Sequence, residues 1–225
     1  MLPRHQVVVC KPERELQMPL LNWTTDPMEL IHLFEVRHQN QDSGALFAWA
    51  AWTVDSLHYL DDIDRAYDAS HATIGGHRPD VVDVAHARWA TGTCITALDL
   101  CAAGLGRTFC GHSGGLELDL AHFDPGGRPS KPKDLRRARL PPPARQWVDD
   151  VCADLYYKQI KAARDWLTHS RLPRHFTLAV GEGGPPQRLE LQLETVRLGV
   201  RHLVDHARDV GTRHVSALLA MLPQL

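Results

Sequence analysis

The chain has 225 residues, of which 44% are hydrophobic and 23% charged, and its formal net charge is −2. This composition is ordinary for a globular domain that buries a core, and the charge excludes a protein that is basic over its whole surface. No apolar run of about 18 residues is present, so we expect no membrane-spanning helix, and the five cysteines form no Cys-x-x-Cys pair, which indicates reduced thiols in the cytoplasm.

The first 25 residues are predicted to be irregular, because three prolines interrupt any helix there: Pro3, Pro12 and Pro19. The remaining residues, 26–225, are expected to form one domain. Its first helix is predicted to begin near Pro27, because Thr25 or Asp26 can cap the helix and proline is favoured at the first helical position.

Two further helices are predicted from apolar residues that recur every three or four positions. The second helix is expected from about Ser43 to Ser70, and the third from Pro79 to about Leu105. The third is rich in Ala, Gly, Thr and Cys, and small residues let helix axes approach closely. We therefore place it in the middle of a bundle, with Cys94 and Cys101 as buried small apolar side chains.

Residues 111–143 show no periodicity and are predicted to be a flexible connector. Between Arg128 and Arg145 the chain has seven Arg or Lys residues and one acidic residue, Asp134. A solvated connector is the simpler interpretation. The alternative is a basic arm that contacts a polyanion.

A fourth helix is predicted from about Pro143 to Ser170, with a buried face of four residues: Trp147, Val151, Leu155 and Ala162. Alternating apolar residues on either side of a glycine- and proline-rich turn then predict a β-hairpin over residues 175–193. A last helix is expected from about Thr195 to Leu222. The prediction is an all-α, up-and-down helical bundle with a small β-hairpin insertion before the last helix.

Near the end of the predicted fourth helix, Arg164 is followed directly by Asp165. His169 lies five positions after Arg164. This resembles the Arg-x4–6-His motif of the HEPN superfamily (higher eukaryotes and prokaryotes nucleotide-binding domains), in which a polar residue directly after the arginine is typical. The likeness of layout covers roughly residues 26–222. It implies a helical bundle, usually dimeric, and in many members a metal-independent endoribonuclease.

Arginine and histidine are frequent in this chain, so the spacing alone has low specificity. It occurs four times, as Arg107/His112, Arg164/His169, Arg197/His202 and Arg201/His206. The Asn, Asp or His that is typical after the arginine is present in two of them, at Asp165 and His202. The pair at 164 and 169 is favoured because it lies at a predicted helix end, where the chain can turn and bring the two side chains together.

The proposed chemistry is attack of an RNA 2′-hydroxyl on the adjacent phosphorus. His169 is predicted to transfer protons, Arg164 to hold the phosphate, and Asp165 to orient either group. Four cations are predicted to contact the RNA substrate: Lys158, Lys161, Arg171 and Arg174. The resemblance implies that a second copy of the chain completes the site. No metal or cofactor is expected.

The competing hypothesis is a catalytically inactive module that binds a nucleotide or a protein in a signalling or defence system. Either hypothesis fits a bacterial toxin, defence or stress system with an antitoxin or effector partner. Some HEPN toxins have a modified Tyr two residues after the motif histidine; Arg171 occupies that position here, so that route of control is not expected. His202 and His206 have metal-ligand spacing but are interpreted as a solvated or capping face.

Overall fold

The computed structural model describes residues 26–59, 79–111, 119–126, 131–169, 176–179, 188–193 and 196–225. Seven α-helices are found in this part of the chain: α1 (Pro27–His38), α2 (Gln41–His58), α3 (Pro79–Cys110), α4 (Lys131–Arg139), α5 (Pro142–Ala153), α6 (Leu155–His169) and α7 (Val200–Met221). Two short 3-10 turns span Leu120–His122 and Leu222–Gln224. The predicted helical bundle is confirmed, whereas membership of the HEPN superfamily stays a prediction.

Helix α1 begins as its sequence predicts. The Asp26 side chain accepts a hydrogen bond from the Met28 N–H at 2.9 Å, with Pro27 at the first helical position. The helix ends at His38, its C-cap Gln39 has a left-handed φ of 50°, and Asn40 then caps α2. α2 ends at His58; the remainder of the helix predicted to reach Ser70 lies outside the described residues.

Helix α3 lies at the centre of the bundle, as its small residues predict. It packs against α2, α7 and α6, and both Cys94 and Cys101 are fully buried. The close approach to α2 is visible at Gly104, where a Cβ atom would lie only 2.6 Å from the Phe47 ring. No helix in the described residues is long and apolar enough to cross a membrane.

The predicted fourth helix is two helices, so a continuous helix over residues 143–170 was wrong. Asp154 separates α5 from α6 with an extended backbone, φ −61° and ψ 123°. Its carboxylate accepts hydrogen bonds from the Tyr156 and Tyr157 N–H groups and so caps α6. The apolar pattern continues across this break, but Leu155 and Ala162, both predicted to be buried, are exposed.

The segment 111–143 was expected to be irregular, and this was wrong for its described part. It contains the 3-10 turn at Leu120–His122 and helix α4. Three apolar residues anchor it in the core: Leu120, Phe123 and Leu140 are at most 1% exposed. Apolar anchors spaced this far apart give no periodicity, which is why the sequence pattern did not reveal them.

Residues after α6 pair as three antiparallel strands in the order β1 (Phe176–Ala179), β2 (Arg188–Leu193) and β3 (Val196–Gly199). Phe176 is opposite Leu191, and Leu191 is opposite Leu198. The turn predicted at residues 181–186 lies outside the described residues. The last helix begins at Val200, not at Thr195, because residues 196–199 form the third strand.

Candidate functional site on helix α6

Helix α6 carries most of the residues that the motif predicts. Its buried face consists of four residues that pack into the core: Tyr157, Ile160, Ala163 and Leu167. Lys158 is exposed, and Lys161 and Arg164 lie at the boundary between core and solvent. Asp165 is the acidic residue within the helix, so its surface is cationic in a chain whose net charge is −2.

Arg164 is held by its sequence neighbour. A terminal guanidinium nitrogen of Arg164 lies 3.2 Å from Oδ1 of Asp165, and the two side chains are 32% and 48% exposed. An ion pair this exposed contributes little to stability. Its effect is to restrict the guanidinium while leaving it accessible to a ligand.

Lys161 and Arg164 are one helical turn apart and lie on the flank of α6 that faces α3. Asp99 of α3 is partly buried near them, and one of its carboxylate oxygens accepts a hydrogen bond of 3.0 Å from the Leu120 N–H. Burial raises the pKa of the Asp99 carboxyl, and the charges of Arg164 and Lys161 oppose that increase. The 3-10 turn is therefore attached to α3 at Asp99.

His169 is the last residue of α6, and residues 170–175 lie outside the described part of the chain. The helix nevertheless runs unbroken from Arg164, and positions five apart on a helix lie about 140° apart around the axis and about 7.5 Å apart along it. Position 169 therefore shares its helical face with Lys158, Ala162 and Asp165, and Arg164 lies on another face. The predicted turn toward Arg164 does not begin before residue 169, and Arg171 and Arg174 lie outside the described residues.

The other end of α6 holds a polar network that the sequence analysis did not predict. Oδ2 of Asp154 lies 2.7 Å from Nε2 of His214 and 3.1 Å from a guanidinium nitrogen of Arg213. The side chains of Asp154 and His214 are only 7% and 9% exposed. Trp147 donates a 2.8 Å hydrogen bond to the backbone carbonyl of His214.

This network fixes the junction of α5 and α6 against α7. Burial by itself would raise the pKa of the Asp154 carboxyl, but hydrogen bonds from His214 and the Tyr156 N–H, together with the charge of Arg213, lower it overall. An aspartate just before a helical run is a possible signal for a helix cap. The apolar pattern of the predicted fourth helix continues on both sides of Asp154, so the sequence was interpreted as one helix.

His202 and His206 lie on α7, where their nearly parallel rings have centroids 6.4 Å apart. Tyr156 lies against His206 with a centroid distance of 4.2 Å. Burial and the neighbouring His202 lower the pKa of His206, which favours its neutral form. In the part of the chain that the structure describes, no three His, Cys, Asp or Glu residues are grouped to hold a metal ion.

Arginines of the basic segment 128–145 have structural partners. Arg137 binds both carboxylate oxygens of Asp149, Arg139 donates to the Cys110 carbonyl at 3.1 Å, and Arg145 donates to the Leu140 carbonyl at 3.1 Å. These contacts favour the interpretation that much of this charge holds α4 and α5 in place.

Comparisons with protein-family models, with curated proteins and with solved structures found no match to this chain.

Proposed function

We propose that the chain is a metal-independent endoribonuclease in which Arg164 holds a phosphate and His169 transfers protons. The observation that carries the proposal is the cationic flank of α6, where Lys161 and Arg164 lie side by side and partly accessible, five positions before a helix end at His169. Guanidinium and ammonium groups in this arrangement are suited to consecutive phosphates of a nucleic acid strand. The proposal retains the resemblance to the HEPN superfamily.

The divergence of positions 164 and 169 constrains how RNA would bind. A strand that passes around the C-terminal end of α6 can place one phosphate at Arg164 and the neighbouring ribose at position 169. The imidazole would then take the proton of the 2′-hydroxyl while the 2′-oxygen forms a bond to phosphorus and the bond to the 5′-oxygen breaks. The same proton can pass to the departing 5′-oxygen, which leaves a 2′,3′-cyclic phosphate.

The test is incubation of the full chain with a long RNA in EDTA, beside Arg164→Ala and His169→Ala. Each substitution is expected to slow cleavage by about 100-fold or more, since loss of a proton-transfer group or a charge-stabilising donor has effects of this size. Arg88→Ala and His32→Ala are matched controls, because both residues are exposed and lie on other helices. Products should end in a cyclic phosphate and a 5′-hydroxyl.

EDTA-resistant cleavage that both Arg164→Ala and His169→Ala retain would refute this assignment. The ion pair of Arg164 with Asp165 and the divergence of position 169 also favour a second candidate, a module that binds RNA or nucleotides without cleaving them. That function predicts no cleavage by any form of the chain, with RNA binding that weakens in Arg164→Ala and is unchanged in Arg88→Ala.

A mixture of Arg164→Ala and His169→Ala chains tests whether two copies share one site. If arginine and histidine came from different copies of a two-fold dimer, mixed dimers would hold one intact site, and a random mixture would recover about a quarter of wild-type activity. A site contained in one chain predicts no recovery.

A further inference from the structure

Helix α2 presents two tryptophans to solvent at its midpoint. Trp49 is 62% exposed and Trp52 is 53% exposed, although the opposite face of the same helix carries fully buried residues such as Phe47 and Val54. Tryptophan is enriched at the centre of protein interfaces, and adjoining exposed tryptophans on a globular surface indicate a binding site.

The residues around these tryptophans form a stripe that is symmetrical about the middle of α2. Ala45, Trp49, Trp52 and Ser56 follow one another at steps of four, three and four, the spacing of a helix–helix seam. Small residues flank the two large ones at equal distances. Reversal of the helix direction therefore reproduces the same pattern of small, large, large and small side chains.

The stripe also lacks charge. The acidic residues of α2 are Asp55, which is buried, and Asp42, which lies at the N-terminal end of the helix and is paired with Arg107 at 3.1 Å. Other exposed apolar residues have charged neighbours in their own helices: Val36 is next to Arg37, and Leu135 is next to Arg136. An uncharged and symmetrical surface can meet a copy of itself without opposing like charges.

We propose that the stripe Ala45–Trp49–Trp52–Ser56 of α2 binds the same stripe of a second copy of this chain, as an antiparallel helix pair across a two-fold axis. Trp49 then packs against the partner's Trp52, and Ala45 lies opposite the partner's Ser56. The four tryptophans would bury roughly 500 Å². This is a large share of the roughly 1,200 Å² that a small stable interface buries, and α2, about 27 Å long, can supply the remainder.

The proposed interface lies away from the candidate RNA site. Within the described residues α2 packs against α1, α3 and α7, whereas α6 packs against α3, α5 and α7. Each copy would then carry its own Arg164–His169 site, in contrast to the shared site that the HEPN resemblance implies. The interface does not depend on the proposed nuclease activity, and its test measures assembly alone.

The first experiment compares the mass in solution of the full chain with that of Trp49→Gln/Trp52→Gln, by sedimentation equilibrium over a range of concentrations. The wild type should have twice the mass of one chain, and the double substitution should raise the dissociation constant by about 100-fold or more. Leu33→Gln/Val36→Gln is the matched control, because it removes two equally exposed apolar side chains from α1 and should leave the dimer intact.

The second experiment tests the antiparallel register. Ala45→Cys/Ser56→Cys should form a disulfide-linked dimer on mild oxidation, because each new thiol meets the other type across the axis. The two positions of one helix are about 16 Å apart, so they cannot join within a chain. Neither single substitution should cross-link, since identical positions lie at opposite ends of the helix pair.

Two results would overturn the proposal: a wild type that is a monomer at every concentration, or a Trp49→Gln/Trp52→Gln variant that remains a dimer. In either case, a lower melting temperature of the variant would show that another segment of the same chain covers the stripe.

Discussion

The two ends of helix α6 differ in how firmly they are held. At the N-terminal end, the buried Asp154 contacts His214 and Arg213 of α7 and also caps the helix. Near the C-terminal end, the ion pair that Arg164 forms among the described residues is with the adjacent Asp165, and both side chains are partly exposed. The first end fixes the position of the helix, and the second leaves charged groups accessible. A functional site is expected at the end where charge is not already satisfied by the fold.

The largest effect should follow from removal of Asp154. Asp154→Ala leaves the buried His214 without its hydrogen-bond partner, breaks the ion pair with the half-exposed Arg213 and removes the cap of α6. The free energy of unfolding should therefore fall by about 2–4 kcal/mol. Asp165→Ala, which removes the exposed carboxylate near the other end, should cost less than about 0.5 kcal/mol. Urea denaturation of both variants measures the difference. Equal losses would contradict the comparison.

A smaller loss should appear in acid. The folded-state pKa of Asp154 is below its usual value, so its contribution is fully present above the unfolded pKa of about 3.9 and is lost as pH falls through the folded pKa. The stability of the wild type should therefore decrease below about pH 4. Asp154→Asn should show a shallower decrease, and Asp165→Asn should follow the wild type. Thermal unfolding of the wild type and both variants at a series of pH values would measure this dependence.

The smallest effect on stability is expected at Arg164. Because its ion pair is exposed, Arg164→Ala should change the free energy of unfolding by less than about 0.5 kcal/mol. RNA binding by the same variant should weaken, measured by fluorescence anisotropy against Arg88→Ala. A large loss of stability with unchanged RNA affinity would show that Arg164 is structural, as Asp154 is.

Local signals in the sequence were sufficient to predict much of the helical bundle. Asp26 and Pro27 mark the start of α1, Pro79 starts α3, and the small residues of α3 predict its central position. These features depend on backbone capping or side-chain size, which neighbouring residues determine. At the break, Asp154 caps α6 locally, but its contact with His214, sixty positions away, cannot be predicted from any local pattern.

The arrangement of the candidate site depends on a detail of geometry that the sequence does not show. The pair Arg164 and His169 was preferred because a helix end was predicted there, and His169 is the last residue of α6. The side chains of Arg164 and His169 could meet only if the helix ended between them. The helix includes both positions, so they lie on different faces. The roles of Lys158, Lys161, Asp165, Arg171 and Arg174 remain predictions. Trp49 and Trp52 were missed because helical periodicity alone does not show whether a tryptophan stripe faces the core or solvent.

Gly104 has a consequence for evolution of this surface. The Phe47 ring of α2 occupies the space that any side chain at position 104 would need. The added methyl group of Gly104→Ala would push α2 away from α3. This movement would shift the exposed face of α2 together with its buried face. The tryptophan stripe is therefore tied to a residue that it never contacts. A larger residue at position 104 should be tolerated only together with a smaller residue at position 47. Such a paired substitution would keep α2 at its present distance from α3.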